Sequence, residues 1–571
     1  MRIRVASATR CRPSSRGPDT TRHVLVAILI AMLLVVPTSA RADSVPDAIR
    51  AVVALGRLDG LRAPDFTRDR SLVDASYAAK GYAPFWLDRH AEPSSSARDA
   101  IAVLQSVEIH GLELRDYDGA TLAEWGRHLA DGQHSTIELA RFDVALTVAA
   151  VRLLSDLHVG RVDPDPLGYH FDLAAKRGEL PALISDAVVS GRLADGVARA
   201  VPQLAETRAL EEELAHYHRL AADATLVPPV IVPPVRRGDR LRVAPQLERW
   251  LVALGDLAPE AVRVGRPRTD RKRVGREPTY DGELVAAVQR FQSRHGLGPD
   301  GVIGEDTADA LAVPLDVRAK QIALALERLR WLPALPPGRA LVVNVPAFEL
   351  SVFDDYGSGR PPVMAMSVVV GRADLTQTPF FVATLTTITF APYWRVPPSI
   401  VRKEILPKVR ANPGYLAGED MEIVSSGQVL APTSAALARL EHGDARVRQR
   451  PGPKNALGRV KFNFPNPYDV YMHDTPSTRL FRKSRRDFSH GCIRLADAAG
   501  LAHWVLEDEG WDPARVDAML AVSRESSVPV RHGVSVMVNY TTAVGRPDGT
   551  VAFYDDIYGH DAELERALAA R

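Results

Sequence analysis

The run Ser489-His490-Gly491-Cys492-Ile493-Arg494 puts a thiol beside an imidazole, and a second imidazole, His473, stands 19 residues before Cys492 in Tyr471-Met472-His473-Asp474. A free thiol has a pKa of about 8.5, so a cysteine nucleophile needs a neighbouring base or imidazolium at neutral pH. Either histidine could supply it. His490 is two residues away, which in an extended segment is the same face at about 6–7 Å. His473 ends a run that reads as a strand, and the 15 residues between it and Ser489 suffice to bring two strand ends side by side. Acyl chemistry also needs donors aimed at a developing oxyanion, and Gly491, which has no Cβ, lets the N–H groups of residues 491 and 492 turn toward one point. The Asp474 carboxylate or its backbone carbonyl is placed to hold the His473 imidazole in one tautomer. A zinc site made of Cys492, His473 and His490 would lack the usual fourfold ligand set, so no metal and no cofactor is expected.

Strands must carry these groups. Ala340–Val345, Glu349–Phe353, Met366–Gly371, Ala383–Phe390, Arg459–Phe464 and Tyr468–His473 are rich in β-branched and aromatic residues with turn residues between them. Val534–Val544 reads as one more strand closing that sheet. Between Phe390 and Arg459 the text turns polar and partly helical, and rich in Pro and Gly. An interruption that returns to the sheet just before a histidine is where a lid over a site would stand, here about 398–457.

The rest of the chain is organised differently. Residues 43–232 show helical periodicity, clearest over Ile137–Leu154, and Tyr77–Leu87 reads as a helix end followed by a packed aromatic turn. The Pro and Val stretch 227–235 marks a linker or an extended crossing segment. Beyond it, Leu284, Val288 and Phe291 fall at i, i+4 and i+7 of a helix that should stop at Gly296, followed by a turn and a short helix capped by Asp306 or Thr307. The basic run Arg263–Arg276 could attract carboxylates.

Six arginines from Arg2 to Arg22, an apolar run Val24–Val36 and the small-x-small site Ala40-Arg41-Ala42 have the order of a secretory signal, expected at 1–42. The apolar run has 13 residues, short of the roughly 20 a spanning helix needs. Residues 1–42 contain seven arginines and one aspartate, so the remainder carries 64 basic and 69 acidic residues, a net charge of −5. Nothing in that balance points to nucleic acid. Of the two cysteines, Cys11 lies in the leader, so an exported body would keep the single thiol Cys492 and no internal disulfide.

Two families are resembled. Tyr280-Asp-x-x-Leu-x-x-Ala-Val-x-x-Phe-Gln-x-x-His-Gly-Leu297 followed by Asp300-Gly-Val-Ile-Gly-x-x-Thr307 resembles peptidoglycan-binding domain 1, a small three-helix module. His473, about 15 residues, then Ser489-His-Gly-Cys-Ile-Arg494 resembles the L,D-transpeptidase family with its YkuD-type catalytic domain. Pro392–Ile400, Pro451–Phe462 and Phe553–Tyr558 agree with its large Gram-negative members, although Ala391 stands where Asn is expected before Pro392.

The resemblance implies a multidomain α+β protein. Its parts would be a helical scaffold (43–232), a peptidoglycan-binding module (236–314), a helix returning to the scaffold (315–337), a mainly β catalytic domain with a lid (338–560) and a C-terminal tail (561–571). It implies an enzyme that releases D-Ala from a stem peptide and forms 3-3 cross-links. Cys492 would be nucleophile and His473 base, with Gly491 and Asp474 for oxyanion and orientation and Ser489, His490 and Arg494 shaping the site. Water or a D-amino acid as acceptor, or a non-catalytic wall-binding scaffold, are the alternative readings. The expected setting is the periplasm, with stem peptides and the sacculus as partners, wall synthases or hydrolases as further ones, and a monomeric chain.

Overall fold

The computed structural model describes residues 44–261, 278–546 and 548–570. The expected leader 1–42 and the whole basic run Arg263–Arg276 lie outside them. The architecture is multidomain α+β, with a helical scaffold, a small helical module and a strand-rich domain.

The scaffold is built around the 24-residue helix Thr136–Val159, started by a capping box in which Ser135 and Glu138 satisfy each other's backbone N–H. Its Asp143 carboxylate accepts hydrogen bonds from the Tyr77 hydroxyl (2.6 Å), Phe85 N (3.1 Å) and Trp86 N (2.8 Å), while Thr147 Oγ1 accepts from Trp86 Nε1 (2.8 Å). The aromatic turn 77–87 is thus core packing tied to a buried carboxylate. Burial pushes Asp143 up to about 6 against the pull of these donors.

The scaffold also supplies a strand. β1 (Tyr169–His170) pairs in parallel with the catalytic sheet, a contact too short to leave a periodic trace in the sequence.

In the module, Leu284, Val288 and Phe291 are buried on one face of the helix Glu283–Arg294, as the spacing requires. The chain leaves that helix through Gly296, at φ 66. The next helix, Glu305–Ala312, begins after Gly304 with no side-chain cap. Asp306 and Thr307, expected as caps, lie inside its first turn, and Thr307 Oγ1 accepts from Gln292 Nε2 (3.1 Å) instead.

The helix Leu315–Arg330 then ties three parts together. Fully buried Glu327 accepts from Arg161 N (2.5 Å) of the scaffold and pairs with Arg330 (2.7 Å). One residue on, Arg328 donates to the Tyr169 hydroxyl (2.8 Å), pairs with Asp561 (2.6 Å), and lies against the rings of Tyr169 and Tyr540.

The catalytic sheet begins with β2 (Ala340–Asn344), β3 (Glu349–Phe353), β4 (Met364–Gly371) and β5 (Phe380–Phe390). The chain then crosses a lid of β6 (Trp394–Arg395), β7 (Met421–Ser425), β8 (Gln428–Leu430) and β9 (Arg446–Gln449), which has its own core around Ile400, Ile405, Val409, Ile423 and Val447. The lid sheet starts at Trp394, earlier than the expected 398, because β6 pairs with β9. After the lid come β10 (Val460–Asn463), β11 (Met472–His473), β12 (Asp487–Ser489), β13 (Ile493–Leu495) and β14 (Ser526–Asn539).

The pairing runs β5-β10-β11-β13-β4-β3-β2-β14, and β14 pairs back onto β5, so the strands close on themselves. Closure removes open edges.

Two expectations are corrected here. The strand expected over Val534–Val544 begins at Ser526 and stops at Asn539, where Asn344 Oδ1 accepts from Thr541 N (3.1 Å) and turns the chain away. The chain then forms a separate hairpin of β15 (Ala543–Gly545) and β16 (Val551–Phe553). The expected C-terminal tail is a helix, His560–Ala569, held by buried Leu564 and by the Asp561 pair with Arg328.

Truncating the fully buried Arg328 takes the guanidinium from the partly buried Asp561 carboxylate and frees the Tyr169 strand, a loss of about 3–5 kcal/mol. Urea unfolding of Arg328→Ala should show that loss, and exposed Arg199→Ala almost none. Equal, small shifts in the two variants would refute this role for the returning helix.

Candidate active site

Alternation along the strands decides which side chains meet. β11 and β13 run parallel with Met472 opposite Ile493 and His473 opposite Arg494, and β10 adds Phe462 opposite Met472 and Lys461 opposite His473. Met472, Ile493 and Phe462 are fully buried in the apolar core. Side chains one residue along therefore project to the other face: Tyr471, His473, Cys492, Arg494 and Lys461. One register places every reactive group on the same polar surface.

His473 is buried, and its Nδ1 donates to the backbone carbonyl of Asp474 (2.5 Å). Nε2 is then the unprotonated nitrogen, available to accept a proton. Of the two orienting groups left open by the sequence, the carbonyl does the work. The Asp474 carboxylate instead accepts from Arg459 N (2.8 Å) and Thr475 N (2.8 Å). Gly458 permits that closeness: at φ 59, a Cβ there would meet the Asp474 carboxyl at 2.4 Å. Burial, with Arg494 and Lys461 nearby, pulls the imidazole down to about 3, so it is neutral in the resting site.

Cys492 is half-buried and is the free thiol of the described residues. Its Sγ faces the Asp469 carbonyl at 3.8 Å, and the Tyr471 hydroxyl is its hydrogen-bonding neighbour. Burial pushes the thiol up, while Tyr471, Lys461 and Arg494 pull the other way without overcoming it.

The Lys461 ammonium lies over the Tyr471 ring at 3.8 Å and is itself lowered by burial. Tyr471 and Lys461 are the members of this site that the sequence reading missed. Each alternates with a core residue, Lys461 between Val460 and Phe462 and Tyr471 before Met472, and that alternation was the available signal.

The motif turn is fixed from behind. Ser489 O accepts from Arg372 N (3.1 Å) and Thr376 Oγ1 (3.0 Å), and Thr378 Oγ1 donates to Gly491 O (2.9 Å). The Gly491 N–H, expected to help hold an oxyanion, donates to Ser489 Oγ (3.1 Å). That bond ties the Gly491 N–H into the motif turn.

His490 turns to the lid: its Nε2 pairs with Glu404 Oε1 (2.6 Å), in a π-helical turn Val401–Ile405. The lid's Trp394 also reaches the Tyr471 hydroxyl. Ser489, His490 and Arg494 thus frame the thiol in different ways, as a turn acceptor, a lid contact and a flanking cation.

Among the described residues, the group of side chains close enough to share a metal is His128, His134 and Glu138, on the scaffold and apart from this face.

The structure thus sets one cysteine–histidine face on a sheet domain under a lid, with a scaffold and a small helical module attached. Residues 338–531 match the L,D-transpeptidase catalytic domain of YkuD type, 71–214 match a scaffold domain, and 245–311 match a domain described as "Putative peptidoglycan binding domain".

A protein of Haemophilus influenzae described as "Putative L,D-transpeptidase" is 31% identical over 250 residues, 43% of this chain. The match spans about half (49%) of that relative's length. The crystal structure of an L,D-transpeptidase from Xylanimonas cellulosilytica aligns at 15% identity over 55% of this chain and 100% of that one, with a TM-score of 0.16, too slight a likeness to build on.

With the imidazole neutral and the thiol raised, the resting pair is thiol and imidazole rather than a preformed ion pair. Alkylation of Cys492 by iodoacetamide should therefore climb with pH to a midpoint above the ordinary cysteine value. A plateau already reached below pH of about 7, as a thiolate–imidazolium pair gives, would contradict this.

Proposed function

We propose that the protein is a peptidoglycan L,D-transpeptidase that forms 3-3 cross-links through an acyl-enzyme at Cys492. The observation that carries this reading is His473, locked with Nε2 free on the strand beside Cys492 and on the same face.

A tetrapeptide stem enters with the carbonyl before its terminal D-Ala at Sγ. As the S–C bond forms, the thiol proton passes to Nε2 of His473, and the Cys492 N–H supports the oxyanion with the Tyr471 hydroxyl beside it. Collapse breaks the C–N bond, and the imidazolium returns its proton to the departing D-Ala amine. The diaminopimelate amine of a second stem then attacks the thioester. Its proton goes to His473 and on to the sulfur, which restores the thiol. Arg494 and Lys461, both beside the sulfur, suit the charge that develops there and the carboxylate of the D-Ala end.

The same acyl-enzyme accepts water or a free D-amino acid, so L,D-carboxypeptidase and exchange activities are the second reading. No cofactor enters any step. The expected leader and the wall substrate together suit a periplasmic enzyme, with the sacculus as its partner and wall synthases or hydrolases as candidates for further contact.

Mass analysis of products from a purified disaccharide-tetrapeptide tests the proposal. Wild-type protein should yield a dimer with D-Ala released, and Cys492→Ala neither product. His473→Ala should slow acylation by a β-lactam by about 10²–10⁴-fold, and His490→Ala far less. Dimer formation by Cys492→Ala, or a larger loss at His490 than at His473, would overturn the assignment.

A further inference from the structure

A second cleft, of about 740 Å³, lies between the module's Gly296–Thr307 stretch and the catalytic segment Phe481–Arg486 that leads into β12 and the cysteine motif. That volume suits a ligand of peptide or drug size. No group of the Cys492 face lines it.

Both walls are held in place. Gln292 Nε2 donates to Asp300 Oδ1 (3.1 Å), Val302 O (2.9 Å) and Thr307 Oγ1 (3.1 Å), and its Oε1 accepts from Gly301 N (2.9 Å), which fixes the module's turn. Opposite, Arg486 donates to Lys483 O (2.7 Å), Phe348 O (3.2 Å) and Val368 O (3.3 Å). The module cannot swing freely, because His295 stacks between Phe291 (3.8 Å) and Phe553 (5.5 Å), and a Cβ at Gly296 would meet the Tyr554 ring at 2.9 Å.

The charges on the two walls are opposite and unjoined. Arg482 and Lys483 are exposed on the catalytic wall, and Glu305 and Asp306 are exposed on the module wall. Among the ion pairs of the described residues none involves any of these four. A neutral sugar makes no use of such a pair of walls. A zwitterionic peptide does.

From Arg486 to Cys492 is six residues, at most about 20 Å of chain, and a four-residue stem extends no more than roughly 14 Å. The cleft is therefore close to the thiol along the chain, while its lining is separate from the Cys492 face.

Resting on the reading that the protein acts on peptidoglycan stems, we propose that this cleft holds a stem peptide other than the one being acylated. Its carboxylates would face Arg482 and Lys483, and its diaminopimelate amine Glu305 and Asp306. The site anchors the enzyme on one stem while Cys492 works on another.

The test compares binding of the full chain to intact sacculi and to glycan stripped of stems by an amidase, for the wild type, Arg482→Glu/Lys483→Glu and Glu305→Lys/Asp306→Lys. Each double variant should bind intact sacculi roughly fivefold or more weakly. Both should match the wild type on stem-free glycan and in the rate of Cys492 alkylation. Undiminished binding to intact sacculi would overturn the proposal, as would an equal loss on stem-free glycan or a loss that tracks slower alkylation. Failure of the catalytic reading looks different: a wild type that binds sacculi but releases no D-Ala.

Discussion

Everything at the thiol depends on the parallel pairing of two short strands, with Met472 beside Ile493 and His473 beside Arg494. The pairing works because the other face of both strands is fully buried hydrocarbon: Met472, Ile493 and, one strand over, Phe462. A slip by one residue would drive His473 and Arg494 into that core and lift Met472 and Ile493 into solvent. The burial that secures the register also sets the chemistry. It lowers the imidazole and raises the thiol, so both groups rest uncharged at neutral pH.

The sheet is itself a shared structure. The scaffold contributes β1, the returning helix contributes Arg328, and the C-terminal helix contributes Asp561, all meeting around Tyr169 and Tyr540. A guanidinium at this depth is tolerable because a carboxylate, a phenol oxygen and two aromatic faces surround it. The β15–β16 hairpin extends the arrangement to the module through the Phe553–His295 stack. The lid is attached more lightly to the motif, through Glu404 on His490 and Trp394 on Tyr471.

Much of this could be read from the chain, and the gaps have physical reasons. The cysteine motif, the change from helical to strand periodicity near residue 340 and the apolar face of Leu284, Val288 and Phe291 are local patterns, and local patterns survive in sequence. Glu404 meets His490 across 86 residues and β1 has only two residues, so neither leaves a periodic trace. The end of β14 at Asn539 is set by the Asn344 side chain, which accepts from the N–H of Thr541, 197 residues on, whereas the apolar alternation runs past it. Lys461 and Tyr471 differ from these: their alternation with core residues is local and legible, but neither is of the cysteine and histidine types that mark a nucleophile and its base.

The central claim is that the stem is carried on Cys492 as a thioester. Rapid acid quenching of the full-length protein with an excess of tetrapeptide stem, followed by intact mass measurement and proteolytic mapping, tests it most directly. The account predicts an adduct equal to the stem less D-Ala, on the fragment that contains Cys492. An adduct on any other residue, or D-Ala release with Cys492 unmodified throughout turnover, would contradict it.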